Sequence, residues 1–410
     1  MRLPAAAELF DGMISGVSTM PRAFEVQART LAFTAAGAGV VGTAVGVATH
    51  DRVLAAGSAG VGVLSLSALA PEFLIALLML VGGIKDASWL RSLPIDASLL
   101  TAAGVLVAMG ARALRRGVRP LPPAAVLPVL LAALIAASLL WAPLGAGGAN
   151  QVARFEGLTL LAFFAGAIMI RDRADFTRLM VGLTGVALVV VALAQRTSHA
   201  NQPLVVVGGG SGGEIELAYD CAVGLVAGAY VVARARGPLR LLPLGAALVL
   251  AYTLVSAGSR GVLVGAIVAA GYALVVTRRS WMRPRPIALA LAAAAALVVA
   301  GPALGQQAIV RYQTQLFSGN TSAVLGQRSY IFHRGEQLAL EHPLGLGAGG
   351  FPARTGLVYP HNIELQLADE YGLTAVALFV ALVAFAWSYR RRAWRLGWRA
   401  ESVTIGALLL

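Results

Sequence analysis

The residues of this chain best suited to chemistry stand close together in "HNIELQLADEYG", residues 361–372, where His361 and Asn362 are followed by three carboxylates, Glu364, Asp369 and Glu370. An imidazole with an unperturbed pKa of about 6.5 is the side chain best matched to taking a proton from a hydroxyl at neutral pH, provided a partner orients it. Glu364, three residues on, either supplies that orientation or favours the N-terminal end of a helix, where acids are stabilised. Asn362 suits the cap of a helix that begins there. The plainer alternative for His361 is a polar residue at a helix start with no chemistry to perform.

Cations are the second ingredient. In "SAGSRGVLVG", residues 256–265, Arg260 follows a small-residue turn and opens an apolar run. An ionisable residue at such a place faces a cavity or partner, or else its long stem lets the charge snorkel to water. "GQRSYIFHRGEQLALEHP", residues 326–343, has apolar residues at helical spacing, with Arg328, Arg334 and Glu341 available to the other side. "LGLGAGGFP", which follows, permits tight turns; its successive N–H groups would suit either an anion nest or a hinge between helices. In "GGGSGGEIELAYDCAVGL" a helical start puts Glu216 and Asp220 on one face, to pair with an arginine or to meet substrate.

The elements that must position these residues are membrane helices. Of the 410 residues 58% are hydrophobic and 12% charged, and the mean hydropathy is +0.77. Apolar runs of about 17–25 residues, enough to cross ~30 Å of hydrocarbon, recur from Leu31 almost to the end; in lipid they must be helices, and they lack the alternation of barrel strands. Spans are expected near 31–49, 53–69, 71–84, 98–112, 124–142, 155–170, 179–195, 217–233, 241–256, 260–277, 287–305, 363–389 and from 401 onward. The chain is therefore expected to be an all-α polytopic bundle of about 12–13 spans. Residues 1–30 are expected to form a cytoplasmic amphipathic lead-in rather than a cleaved signal, 31–305 the helix bundle, 306–362 a long outer loop with surface helices, and 363–410 the last transmembrane helices. "ESVTIGALLL" begins as one more span, and its ten residues are too few to cross, so further residues are expected to follow.

Net charge is +13. That value does not mark a nucleic-acid binder, because the arginines fit the positive-inside rule once the N-terminus is placed in the cytoplasm. Arg112, Arg115, Arg116 and Arg119 then fall inside, as do Arg171, Arg173 and Arg178 and the run from Arg390 to Arg399. All five histidines, His50, His199, His333, His342 and His361, fall outside with the loop at 306–362, and loops of that length are commonly functional. Cys221 is the single cysteine, which excludes a disulfide framework and a cysteine metal cluster.

Three blocks, "SRG" at 259–261, "QRSYIFHRGEQLALEHPLGLGAGGF" at 327–351 and "HNIELQLADEYGLTAV" at 361–376, resemble the O-antigen ligase and polysaccharide polymerase superfamily of bacterial inner membranes. The resemblance implies a fold of the C-type glycosyltransferase kind and a metal-independent, cofactor-free enzyme. Its implied donor is a glycan on undecaprenyl pyrophosphate, and its implied acceptor, on the periplasmic side, is lipid A core or another glycan. It implies that His361 activates the acceptor hydroxyl, that Arg260 and Arg328 hold the pyrophosphate, and that Asn362 and Glu364 belong to the substrate-binding set. Pyrophosphate is a good leaving group, so the protein need mainly position and neutralise it, and arginine forks match phosphate oxygens. Family members often carry another arginine shortly before a glycine-rich loop; here Arg196 lies some distance ahead of "GGGSGG" and is named as that ligand. "THDR" at 49–52 raises a metal-dependent alternative through Asp51, without a second acid beside it. A ligase, a polymerase and a protein O-glycosylating enzyme share these motifs. A transporter would share the helices, but it would gather polar residues near the bilayer midplane in repeated halves, and no internal repeat is visible.

Overall fold

The structure, a computed structural model, describes residues 65, 70–85, 96–117, 120–145, 147–196, 204–206, 213–235, 237–257, 259–277, 321–357, 360 and 362–410. In chain order the helices begin with α1 (Pro71–Lys85) and α2 (Ala97–Arg116). They continue with α3 (Pro123–Leu140), α4 (Gly148–Met169) and α5 (Arg173–Leu193). A two-stranded antiparallel ladder follows, β1 (Ala194–Arg196) on β2 (Leu204–Val206). Next come α6 (Gly213–Arg234), α7 (Leu241–Ser256) and α8 (Arg260–Thr277). The C-terminal part holds α9 (Thr321–Glu341), α10 (Gly350–Thr355), α11 (Ile363–Tyr371), α12 (Leu373–Arg395) and α13 (Arg399–Leu409). Among the described residues six helices are long and apolar enough to cross a bilayer: α2, α3, α4, α5, most of α6, and α12.

The all-α membrane bundle expected from hydropathy is found, with the β1–β2 ladder as its one short extended feature among the described residues. The expected lead-in at 1–30, the spans at 31–49 and 287–305, nearly all of 53–69, and the first part of the outer loop, 306–320, lie outside the described residues. Two differences from the expected boundaries bear on the site. The span expected from 155 begins at Gly148, after Gly147 turns the chain in the left-handed region, and it passes through a π-helical stretch, Phe155–Leu160. The span expected over 363–389 is divided at Gly372 into α11 and α12, because a φ of 84° there breaks the helix. Nine-residue α11 stands apart from the membrane-length helices.

The core is built where α1, α5, α6 and α7 pack, around Met180, Leu183, Leu217, Leu250 and Leu254. Without a hydrophobic driving force in lipid, such contacts depend on close approach over small residues. Gly224 of α6 shows this: a Cβ there would sit 2.4 Å from the Ala187 Cβ of α5.

The ends assigned to the inside by charge come together in space. At one corner Glu72 of α1 and Asp175 of α5, both fully buried, meet Arg112 of α2 and Arg178 of α5. Asp175 also accepts the Arg171 backbone N–H at 3.0 Å. At another, buried Glu401 of α13 faces Arg173 at 3.8 Å and Arg234 at 3.5 Å and accepts the Tyr230 hydroxyl at 3.1 Å. Helix ends from α1, α2, α5, α6 and α13 thus share one level, as the alternating topology requires. Each of these carboxylates is matched by guanidinium groups, which offsets the cost of removing it from water.

Candidate functional site

At the opposite end of the bundle, α9, α10, α11 and the turn between α9 and α10 form a cap over α3 and α4. The α9 stripe of Ile331 and Leu338 is buried against Phe351, Leu346 and Leu357. A second cluster joins α11 to the bundle: Leu367 and Tyr371 pack with Leu131 and Ile135 of α3, Val152 of α4 and Ala348 of the turn.

The glycine-rich turn spends its N–H groups within the protein. Gly345 N–H donates to the His342 carbonyl at 2.7 Å, Leu346 to that of Asp369 at 2.7 Å, Gly347 to that of Glu370 at 2.9 Å and Gly350 to that of Gly347 at 2.9 Å. Ala348 N–H donates to the Ser138 hydroxyl of α3 at 3.2 Å. With these N–H groups already engaged, the turn serves to dock α9 and α11 on α3 rather than to present an anion nest. Gly347 shows why glycine is needed, since its φ is 82° and a Cβ would sit 2.5 Å from the Ala142 Cα. Gly347→Ala is therefore expected to lower the thermal unfolding midpoint of the purified protein by several degrees, because strain in that backbone region and the steric clash both cost stability.

Asn362 caps α11 as expected: its side-chain oxygen accepts the Leu365 N–H at 2.9 Å. Glu364 is exposed in the first turn, and it borders an apolar groove of about 530 Å³ that runs along α12 past Phe379, Val380, Trp387 and Arg391. Arg260 is the first residue of α8, where Leu263 N–H returns to the Ser259 carbonyl at 3.1 Å. Arg196 is the last residue of β1 and pairs in register with Leu204. His361 and Asp51 lie outside the described residues.

Register sets Arg328 and Asn362 at matching distances from one helix crossing. A Cβ on Gly335 of α9 would lie 3.2 Å from Asp369 Oδ2 and 3.5 Å from Leu365 Cδ1 of α11. Beyond that crossing both helices end at the same turn, where Leu346 N–H reaches the Asp369 carbonyl and Leu373 N–H reaches the Pro343 carbonyl at 3.0 Å. They therefore run side by side in the same direction. Arg328 is seven residues before Gly335 and Asn362 seven before Asp369, so each lies two turns, about 10 Å, back from the crossing.

The three carboxylates of the opening motif divide by environment. Glu370 is 2% exposed and accepts Gln151 Nε2 of α4 at 2.6 Å. Burial raises its pKa, opposed by hydrogen bonds from Gln151, Tyr371, Gln366 and the Gly349 N–H. Tyr371 is in turn pushed up by burial and by the Glu370 charge. Asp369 is fully buried, and neither of its oxygens has a hydrogen-bond partner among the described residues. Gln151 was not expected at the site; its one sequence signal is a polar residue just ahead of an apolar run. On α6, Asp220 is buried and Glu216 exposed; Asp220 Oδ2 lacks a hydrogen-bond partner among the described residues.

The cap falls within a stretch that resembles a known sequence family: residues 245–380 match the family described as O-Antigen ligase. This match supports the O-antigen ligase superfamily for that part of the chain. The matched segment runs from α7 into α12, so it contains Arg260, Arg328, His361, Asn362 and Glu364, and Arg196 stands outside it. No curated protein matches the chain. The family supports a ligase- or polymerase-type activity on a lipid-linked glycan and an acceptor, in a multi-pass membrane protein.

Proposed function

We propose that this protein transfers a glycan from undecaprenyl pyrophosphate to an acceptor hydroxyl of lipid A core, on the periplasmic face of the bacterial inner membrane and without a metal ion. The observation that carries the reading is the O-antigen ligase match over 245–380, which holds the proposed base and both proposed clamp arginines in one segment. In the proposed step the acceptor oxygen attacks the first sugar carbon of the glycan. The bond from that carbon to the pyrophosphate oxygen breaks, and its electron pair leaves with undecaprenyl pyrophosphate. His361 takes the acceptor proton, while Arg260 and Arg328 neutralise the charge growing on the leaving diphosphate. Asn362, the residue after His361, fixes the start of α11 through its cap. The register of α9 on α11 supports Arg328 acting beside that start. The apolar groove along α12 gives the donor's hydrocarbon room next to Glu364.

The test mixes the purified full-length protein, in lipid nanodiscs with a chelator present, with the lipid-linked glycan and each candidate acceptor. Product on lipid A core is the expected result. Product only on a second lipid-linked glycan would make the protein a polymerase. Failure of transfer to either acceptor, with the donor bound, would overturn the reading.

A further inference from the structure

Asp369 is the one buried carboxylate of the cap that its surroundings leave unpaired among the described residues: its neighbour Glu370 is tied to Gln151, whereas both Asp369 oxygens lack partners at 0% exposure. It occupies the crossing of the two helices whose N-terminal reaches carry Arg328 and Asn362. There Gly335 leaves the carboxyl its room, with 3.2 Å between a Cβ built at 335 and Asp369 Oδ2. At an apolar helix crossing an unpaired neutral carboxyl costs far less than an ionised one without a partner.

We propose that Asp369 is a positioning residue: its neutral carboxyl closes the contact between α9 and α11, and loss of its proton parts the helix of Arg328 from the helix that opens at Asn362. The charged groups around it leave this response intact. On α11 the charge acting on it is Glu370. On α9, Arg334 is engaged with Gln337 and His333 with Glu336, along their own helix. The turn packs against it through backbone groups. Burial, followed by the Glu370 charge, moves the Asp369 carboxyl from 3.8 up to about 7. A pKa raised on folding contributes stability that is complete below the unfolded value of 3.8 and is lost as pH rises through about 7. The contact is therefore closed in mildly acid conditions and opens on the alkaline side.

The effect on rate rests on the proposed transfer reaction; the effect on the helix contact does not, and the experiment reads both. Hydrogen exchange of the α9 and α11 amides is followed in the full-length protein in nanodiscs between about pH 5.5 and 8.5, corrected for intrinsic exchange. The wild type is expected to lose protection by about tenfold per pH unit on the approach to pH 7 and to level off above it, the response of one proton lost on opening, and Asp369→Asn to stay protected throughout. In parallel, the alkaline limb of glycan transfer is expected to move up in Asp369→Asn. Glu370→Gln is the second variant: with the neighbouring charge gone, the transition shifts to lower pH. Protection flat with pH in the wild type, a wild-type transition in Asp369→Asn, or an unmoved transition in Glu370→Gln each overturns the proposal. A normal exchange transition with no transfer at any pH overturns the transfer reaction and leaves the helix contact standing.

Discussion

His361→Ala is expected to abolish glycan transfer by the purified protein while leaving donor binding within about twofold of wild type. Positioned general bases contribute about 10²–10⁴-fold, so residual transfer should fall near the lower limit of detection. The separation of the two readouts follows from the roles assigned. In the proposed step the imidazole acts on the acceptor hydroxyl, and the donor is held through its diphosphate by guanidinium groups elsewhere. A substitution that merely unfolded the cap would remove both. Retention of the thermal unfolding midpoint is expected as well, since the cap of α11 belongs to Asn362 and the docking of α11 to Leu367, Glu370 and Tyr371. Transfer at the wild-type rate would remove His361 from the reaction and with it the proposed mechanism.

The bundle was legible because each signal is local. Runs such as Ala97–Arg116 and Arg173–Leu193 are long enough to cross and carry arginines at one end, and the clustering of Glu72, Arg112, Asp175 and Arg178 agrees with the side assigned to them. The break at Gly372 was not legible, since "EYGLTAVALF" reads as one apolar run into the membrane. What breaks it is a tertiary demand: Leu344 and Pro343 press so closely that a Cβ on Gly372 would lie 2.6 Å from the Pro343 carbonyl oxygen. The glycine-rich turn is the same case. Whether its N–H groups waited for an anion or were already engaged depended on Ser138 and on the carbonyls of Asp369 and Glu370, which no spacing within the turn reveals. Of the site, residue types and order were readable in the three motif blocks. The difference between Glu370, hydrogen-bonded to Gln151 of α4, and Asp369, unpaired against Gly335, arises only when α4, α9 and α11 are brought together.

Arg260→Ala and Arg328→Ala are each expected to weaken binding of the lipid-linked donor by about 10- to 100-fold. The size follows from hydrogen bonds to a charged group, worth about 1.5–3 kcal/mol, at about 1.4 kcal/mol per factor of ten in affinity. Lysine at either place should restore only part of the loss, because it keeps the charge but not the planar fork that meets two phosphate oxygens together. The two arginines stand on separate elements, Arg260 at the start of α8 and Arg328 on α9. If both grip one diphosphate, their effects should not add: with one removed, the diphosphate is free to shift and the second contact is already weakened. Titration of the donor against the wild type, both single variants and the double variant measures this coupling, and Arg196→Ala in the same series reads whether β1 contributes. An affinity unchanged in both single variants would eliminate the diphosphate clamp. Strict additivity would place the arginines on separate ligands or separate parts of one, and the transition-state charge would then have to be met by a single guanidinium.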